Sequence, residues 1–84
     1  MDIQVIKRDT SMEPWDIEKT ISSMTKAGLD VDNALALAQS IANWASENLV
    51  DGKIESTKIR DKVIEEMLKV DEIAAEEYKL YKKW

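Results

Sequence analysis

The stretch Val5–Lys19, VIKRDTSMEPWDIEK, changes its pattern twice over a short distance, and those changes decide the fold. Leading into it, Ile3, Gln4 and Val5 alternate with the period of a strand, and Ile6 breaks the alternation. Asp9-Thr10-Ser11 is a reversal signal, because short polar side chains bond the nearby backbone. Branched Thr10 resists a positive φ, so the turn is expected in the right-handed region, or as a wider loop. Met12 to Trp15 reads as a short returning strand, with Pro14, which lacks an N–H, confining it to a sheet edge. Asp16 then reads as the N-cap of a helix with Ile17, Ile21 and Met24 on one stripe and Gly28 as its stop. A lone hairpin is marginal in water, so this one must rest on helices.

Further along, apolar residues recur at the helical period. A second helix is expected from about Asp32 to Asn48. Ala34, Leu35, Leu37, Ala38, Ile41, Ala42, Trp44, Ala45 and Leu49 cover more than one narrow stripe, which suits a central position. Trp44 is expected in or beside the core. Val50-Asp51-Gly52-Lys53 interrupts this pattern. Ser56 reads as the cap of a third helix, with Ile59, Val63, Ile64, Met67 and Leu68 pointing inward. Asp71 can cap a last helix, on which Ala74, Tyr78 and Tyr81 form a stripe with their hydroxyls exposed. Trp84 reads equally as an anchor or as exposed surface. The fold class is therefore α+β, small and mainly helical, with an N-terminal β-hairpin and four helices in a single domain, residues 1–84.

Composition excludes several kinds of chemistry. The chain has no cysteine and no histidine, so disulfides, thiolate–zinc sites, zincin sites and histidine-based triads are all absent. No apolar run spans a bilayer and no signal-peptide pattern opens the chain, so a cytoplasmic protein without a membrane role is expected. Formal net charge is −5. Residues 30–52 carry Asp30, Asp32, Glu47 and Asp51 and no basic residue, whereas residues 53–84 carry eight charges of each sign. Such a balance disfavours nucleic acid as a partner. No carboxylate pair marks a cleft, so no enzymatic activity is expected.

Within the opening stretch, Lys7 and Arg8 precede the turn and Lys19 stands three residues after the cap Asp16. A hairpin folded against the start of that helix could gather these cations around a phosphate, assisted by the unpaired N–H groups of the helix end. Glu13 and Asp16 could accept from an adenine amine or a ribose hydroxyl, or hold the cations in place. The plainer reading is the stronger one at this point: solvated basic residues beside a turn, and an aspartate that only caps its helix. Gly28 and Gly52 are the only glycines, so neither a Walker loop nor a dinucleotide fingerprint is present.

Three segments resemble the ATP-cone domain, in that family's order. Val5-Ile6-Lys7-Arg8-Asp9-Thr10 and Pro14-Trp15-Asp16-Ile17-Glu18-Lys19-Thr20-Ile21 resemble its opening, V-x-K-R-D-G followed by P-F-[DN]-x-x-K-I. Gly52-Lys53-Ile54-Glu55-Ser56-Thr57-Lys58-Ile59, continuing to Val63, resembles G-x-I-x-[ST]-x-x-I-x-x-x-V. Ala74 to Lys82 resembles V-A-x-x-Y-x-x-Y-R. Thr10 stands where the family has its turn glycine, and Trp15 where it has phenylalanine.

The resemblance implies a hairpin capping a four-helix group, with ATP or dATP bound beneath it, together with Mg2+. It implies a non-catalytic regulatory module of the kind found in ribonucleotide reductases and the repressors of their genes. Carried over residue by residue, Lys7, Arg8 and Lys19 meet the nucleotide and its phosphates, and Glu13 and Asp16 fall where base or sugar is recognised. Ser56 lies against the ligand, Arg60 faces it one turn later, and Lys82 with Lys83 belongs to a terminal basic cluster. The partner would be a second copy or a ribonucleotide-reductase-like protein. The alternative is a constitutive protein-interaction module with a degenerate nucleotide site.

Overall fold

In a computed structural model, which describes residues 3–81, the chain opens with strand β1 (Gln4–Ile6) and returns as β2 (Met12–Pro14). The two are antiparallel, with Gln4 opposite Pro14, Val5 opposite Glu13 and Ile6 opposite Met12. Between them, the Thr10 amide donates to the Lys7 carbonyl (2.9 Å) and the Lys7 amide to the Ser11 carbonyl (2.8 Å). Thr10 adopts φ 70°. This is the geometry of a three-residue hairpin loop whose last residue is left-handed. The expectation of a right-handed turn is thereby corrected. The side chain of Asp9 compensates for the unfavourable Thr10 backbone by accepting from both the Ser11 amide (3.0 Å) and the Ser11 hydroxyl (2.6 Å).

Helix α1 (Ile17–Lys26) starts at its expected cap, where the Glu18 amide donates to Asp16 Oδ1 at 3.0 Å. It stops at Gly28, φ 109°. The Leu29 amide reaches back to the Met24 carbonyl and the Gly28 amide to that of Thr25, which is a Schellman ending closed by buried Leu29 and Met24. Helix α2 (Val31–Glu47) is capped by Asp30, and α4 (Glu72–Tyr81) by Asp71, whose Oδ1 accepts from the Ala74 amide at 3.1 Å.

A third strand, β3 (Lys53–Glu55), is an element that the hydrophobic pattern did not reveal. It pairs in parallel with β1, placing Val5 beside Ile54 and Ile6 beside Glu55, so the sheet order is β2-β1-β3. Pro14 does lie on an edge strand. The approach to β3 is a two-residue turn in which Asp51 (φ 54°) and Gly52 (φ 75°) are both left-handed and Val50 and Lys53 exchange backbone bonds. Asp-Gly is the dipeptide best suited to that turn.

Helix α3 (Ser56–Val70) begins directly after β3. Glu55 occupies its N-cap without a side-chain bond, so Ser56 is the first helical residue rather than the cap. One core joins the sheet to all four helices: Val5 and Ile54 from the strands, Met24, Ala38, Ile41 and Ala45 from α1 and α2, and Ile59, Val63, Met67, Ala74 and Tyr78 from α3 and α4. Trp44, Ile17 and Ile21 are half-buried against it. Two expectations are corrected. Leu68 is exposed, and the Tyr78 hydroxyl is enclosed rather than facing solvent. The expectations for the Tyr81 side chain and for Lys82, Lys83 and Trp84 lie outside the described residues. Among the described residues, no helix is long and apolar enough to cross a membrane.

Candidate functional site

Alternate residues of a strand share a face, and directly opposed residues of an antiparallel pair share one too. Ile3 and Val5 turn towards the helices and are 7% and 3% exposed. Lys7 continues that series, and Glu13 stands opposite Val5 on the same side. Their side chains meet, Lys7 Nζ to Glu13 Oε2 at 3.6 Å, and each remains about half exposed. The underside of the hairpin is thus apolar where it covers the helices and charged where it overhangs them.

The parallel register extends this polar region. Because Ile6 pairs with Glu55, the register brings the end of β1, just before Lys7, alongside the end of β3, just before Ser56. Ser56 is buried and opens α3, whose first turn has no side-chain cap and no acidic residue, only Lys58. The positive end of that helix is therefore uncompensated by a carboxylate within its own first turn. Arg8 is exposed beside Lys7, and among the described residues neither Arg8 nor Lys19 is engaged in an ion pair.

Lys19 sits exposed on the first turn of α1, with its backbone held at both ends. Its amide donates to the Asp16 carbonyl (3.1 Å), and its carbonyl accepts from the Ser23 hydroxyl (2.8 Å). Asp16 does not stand beside Lys7. The preceding Trp15 amide bonds the Ile3 carbonyl, at the other end of β1, so about 13 Å of extended chain separates the two positions. The carboxylate of Asp16 is engaged by the helix amide. Arg60 is also committed: Nη2 donates to the Lys79 carbonyl at 3.4 Å and Nη1 lies 3.8 Å from Asp61 Oδ1. It ties the second turn of α3 to the last turn of α4, where a cation suits the helix dipole. Lys82 follows that turn, outside the described residues.

One titration is perturbed next to this region. The Ser11 hydroxyl and then the Ser11 amide hold the Asp9 carboxyl below its ordinary range, and nearby Lys7 adds to the effect. Two features escaped the reading of the sequence. The pairing of β3 with β1 was signalled only by Asp51-Gly52. The other is Thr20, buried on α1 and bonded by the Trp15 indole (Nε1 to Oγ1, 2.9 Å). No short motif signals that contact.

A parallel pair of strands ending in a cationic hairpin and an uncapped helix suits an anionic ligand read partly by backbone groups. A family model describing the ATP cone domain matches residues 3–84, essentially the whole chain, so the chain belongs to the ATP-cone family. Domains of this family are regulatory and non-catalytic, and in general bind ATP or dATP. No curated protein sequence matches it.

Proposed function

We propose that this domain binds ATP or dATP beneath the overhanging hairpin without turning it over, and that binding alters a surface presented to another protein or to a second copy. The observation that carries the reading is the parallel pairing of β1 with β3. It supports a site in which Lys7 and Arg8 on the hairpin face the opening of α3 at Ser56. In that site the cations of Lys7, Arg8 and Lys19 neutralise phosphates, and Glu13 accepts from the base amine while orienting Lys7. Asp16 acts through the helix it caps, setting the position of Lys19. Arg60 acts by fixing the end of α4, from which Lys82 continues. Mg2+, whose usual co-ligands are substrate phosphates, would arrive on the nucleotide. The expected setting is the cytoplasm.

Calorimetry with ATP, dATP, ADP and GTP tests the reading. Heat and a rise in unfolding temperature with the adenine nucleotides are expected. Neither signal from any of them at millimolar concentration would overturn it.

A second reading has an observation of its own. Val50, Ile73 and Leu80 are 70%, 78% and 74% exposed, which leaves these apolar side chains available to a partner. They would serve a constitutive interaction surface, recognised by partner capture that ignores nucleotide.

A further inference from the structure

Trp15 bonds two elements at once. Its backbone amide donates to the Ile3 carbonyl at 2.8 Å, continuing the β1–β2 ladder. Its indole Nε1–H donates to Thr20 Oγ1 at 2.9 Å, on the first turn of α1. Thr20 is 1% exposed, so its hydroxyl has little access to water and the bond is costly to lose. Trp15 is half-buried against the core, and it also lines an open cleft of about 290 Å³ shared with Ile3, Ile17, Ala42, Asn43 and Ser46. The hydrogen bond adds a directional constraint to that partial packing. Thr20 adjoins Lys19, and Trp15 ends the hairpin that carries Lys7 and Glu13.

We propose that Trp15 and Thr20 are positioning residues, a latch that sets the pose of the hairpin relative to Lys19 and thereby the affinity for nucleotide. This rests on the nucleotide-binding reading above for its effect on affinity, but not for its effect on the hairpin. In the absence of the bond the hairpin keeps its ladders and its core contacts through Ile3 and Val5, and its Trp15 end is held less tightly against α1.

The test uses the whole chain as Thr20→Val, Trp15→Phe and the double variant, with Thr20→Ser as the conservative control. Each is measured by ATP calorimetry and by amide and indole hydrogen exchange. Thr20→Val should weaken ATP roughly three- to tenfold, because binding must then re-fix a pose that the bond held in the free domain, with Thr20→Ser close to wild type. The double variant should lose less than the product of the single losses, since neither polar group is then left unpaired. In Thr20→Val the Trp15 indole proton and the Val5 and Ile6 amides should exchange faster, while those of Ile41 and Val63 hold. Wild-type affinity with unchanged hairpin exchange in Thr20→Val would overturn the latch. So would a uniform loss of protection across all elements, which marks a merely structural bond. If the unaltered chain binds no ATP, the nucleotide reading fails, and the exchange comparison still decides the latch. Should Thr20→Val not fold, Trp15→Phe carries the same comparison.

Discussion

Thr10 holds a left-handed backbone at φ 70°, where a branched residue is disfavoured by roughly 1–2 kcal/mol. Replacing it by glycine removes that cost, loses the bond from its hydroxyl to the Asp9 carbonyl, and increases the freedom of the unfolded chain. Thr10→Gly should therefore stabilise the domain by about 0.5–1 kcal/mol, read from the midpoint of a urea transition. Loss of stability would show that Thr10 makes a contact outweighing its strain. Beside it, Asp9 gives the loop a pH dependence of definite sign. Its folded pKa is depressed, first by the Ser11 hydroxyl and amide. The loop's contribution is thus complete above the ordinary carboxylate range and is lost as pH falls through the depressed value. A Ser11 amide resonance followed through an acid titration should move with a midpoint below that of an aspartate lacking such hydrogen bonds. Asp9→Asn should abolish the transition.

Ile41 is fully buried at the middle of α2, against which both α1 and α3 pack. Ile41→Ala should cost about 2–5 kcal/mol through the cavity left behind. Ile41→Asp should cost more, because it places an unpaired carboxylate in that space. A urea midpoint near wild type for the aspartate variant would contradict a central α2. This element, like the caps at Asp16 and Asp71, was legible in the sequence because its signals are local: an apolar period, or a side chain reaching two or three residues along the chain. Asp30, which caps α2, lies just before the start assigned from the pattern. The sheet was legible only in part. β3 has three residues, and its partner β1 lies about fifty positions earlier, so periodicity had nothing to act on. The candidate site shared that limit. Lys7, Arg8 and Lys19 were visible as cations near a turn and a helix start. That Lys7 and Glu13 share the underside of the hairpin, and that β1 ends beside the strand leading into Ser56, depends on register. Leu68 fits the apolar stripe of α3 and is nevertheless exposed, although adjacent Met67 is fully buried.

At the scale of the whole molecule, a regulatory domain must convert ligand binding into a difference that another surface can detect. Only unequal affinity for two arrangements achieves this, and a nucleotide that bound both equally would shift nothing. The hairpin is the element placed to differ. It holds the charged underside, it contacts the helices mainly through Ile3 and Val5, and through β3 it is continuous with α3, which packs in turn on α4. Closing on phosphates would draw Lys7 and Arg8 towards α1 and α3 and carry that change to α4, where Ile73 and Leu80 are exposed. Lys19→Ala should weaken ATP by roughly 1–3 kcal/mol, the order of one charge-assisted bond, with little change in unfolding temperature of the free domain. Equal affinity in that variant would remove Lys19 from the site. Sedimentation with and without ATP, repeated with Lys19→Ala, then tests the coupling. A nucleotide-dependent change in association, or in binding to a reductase-like partner added to the cell, is expected in the wild type and diminished in the variant. Association that ignores nucleotide and survives Lys19→Ala would instead assign the exposed α4 residues to a constitutive interface, with the hairpin having no part in its control.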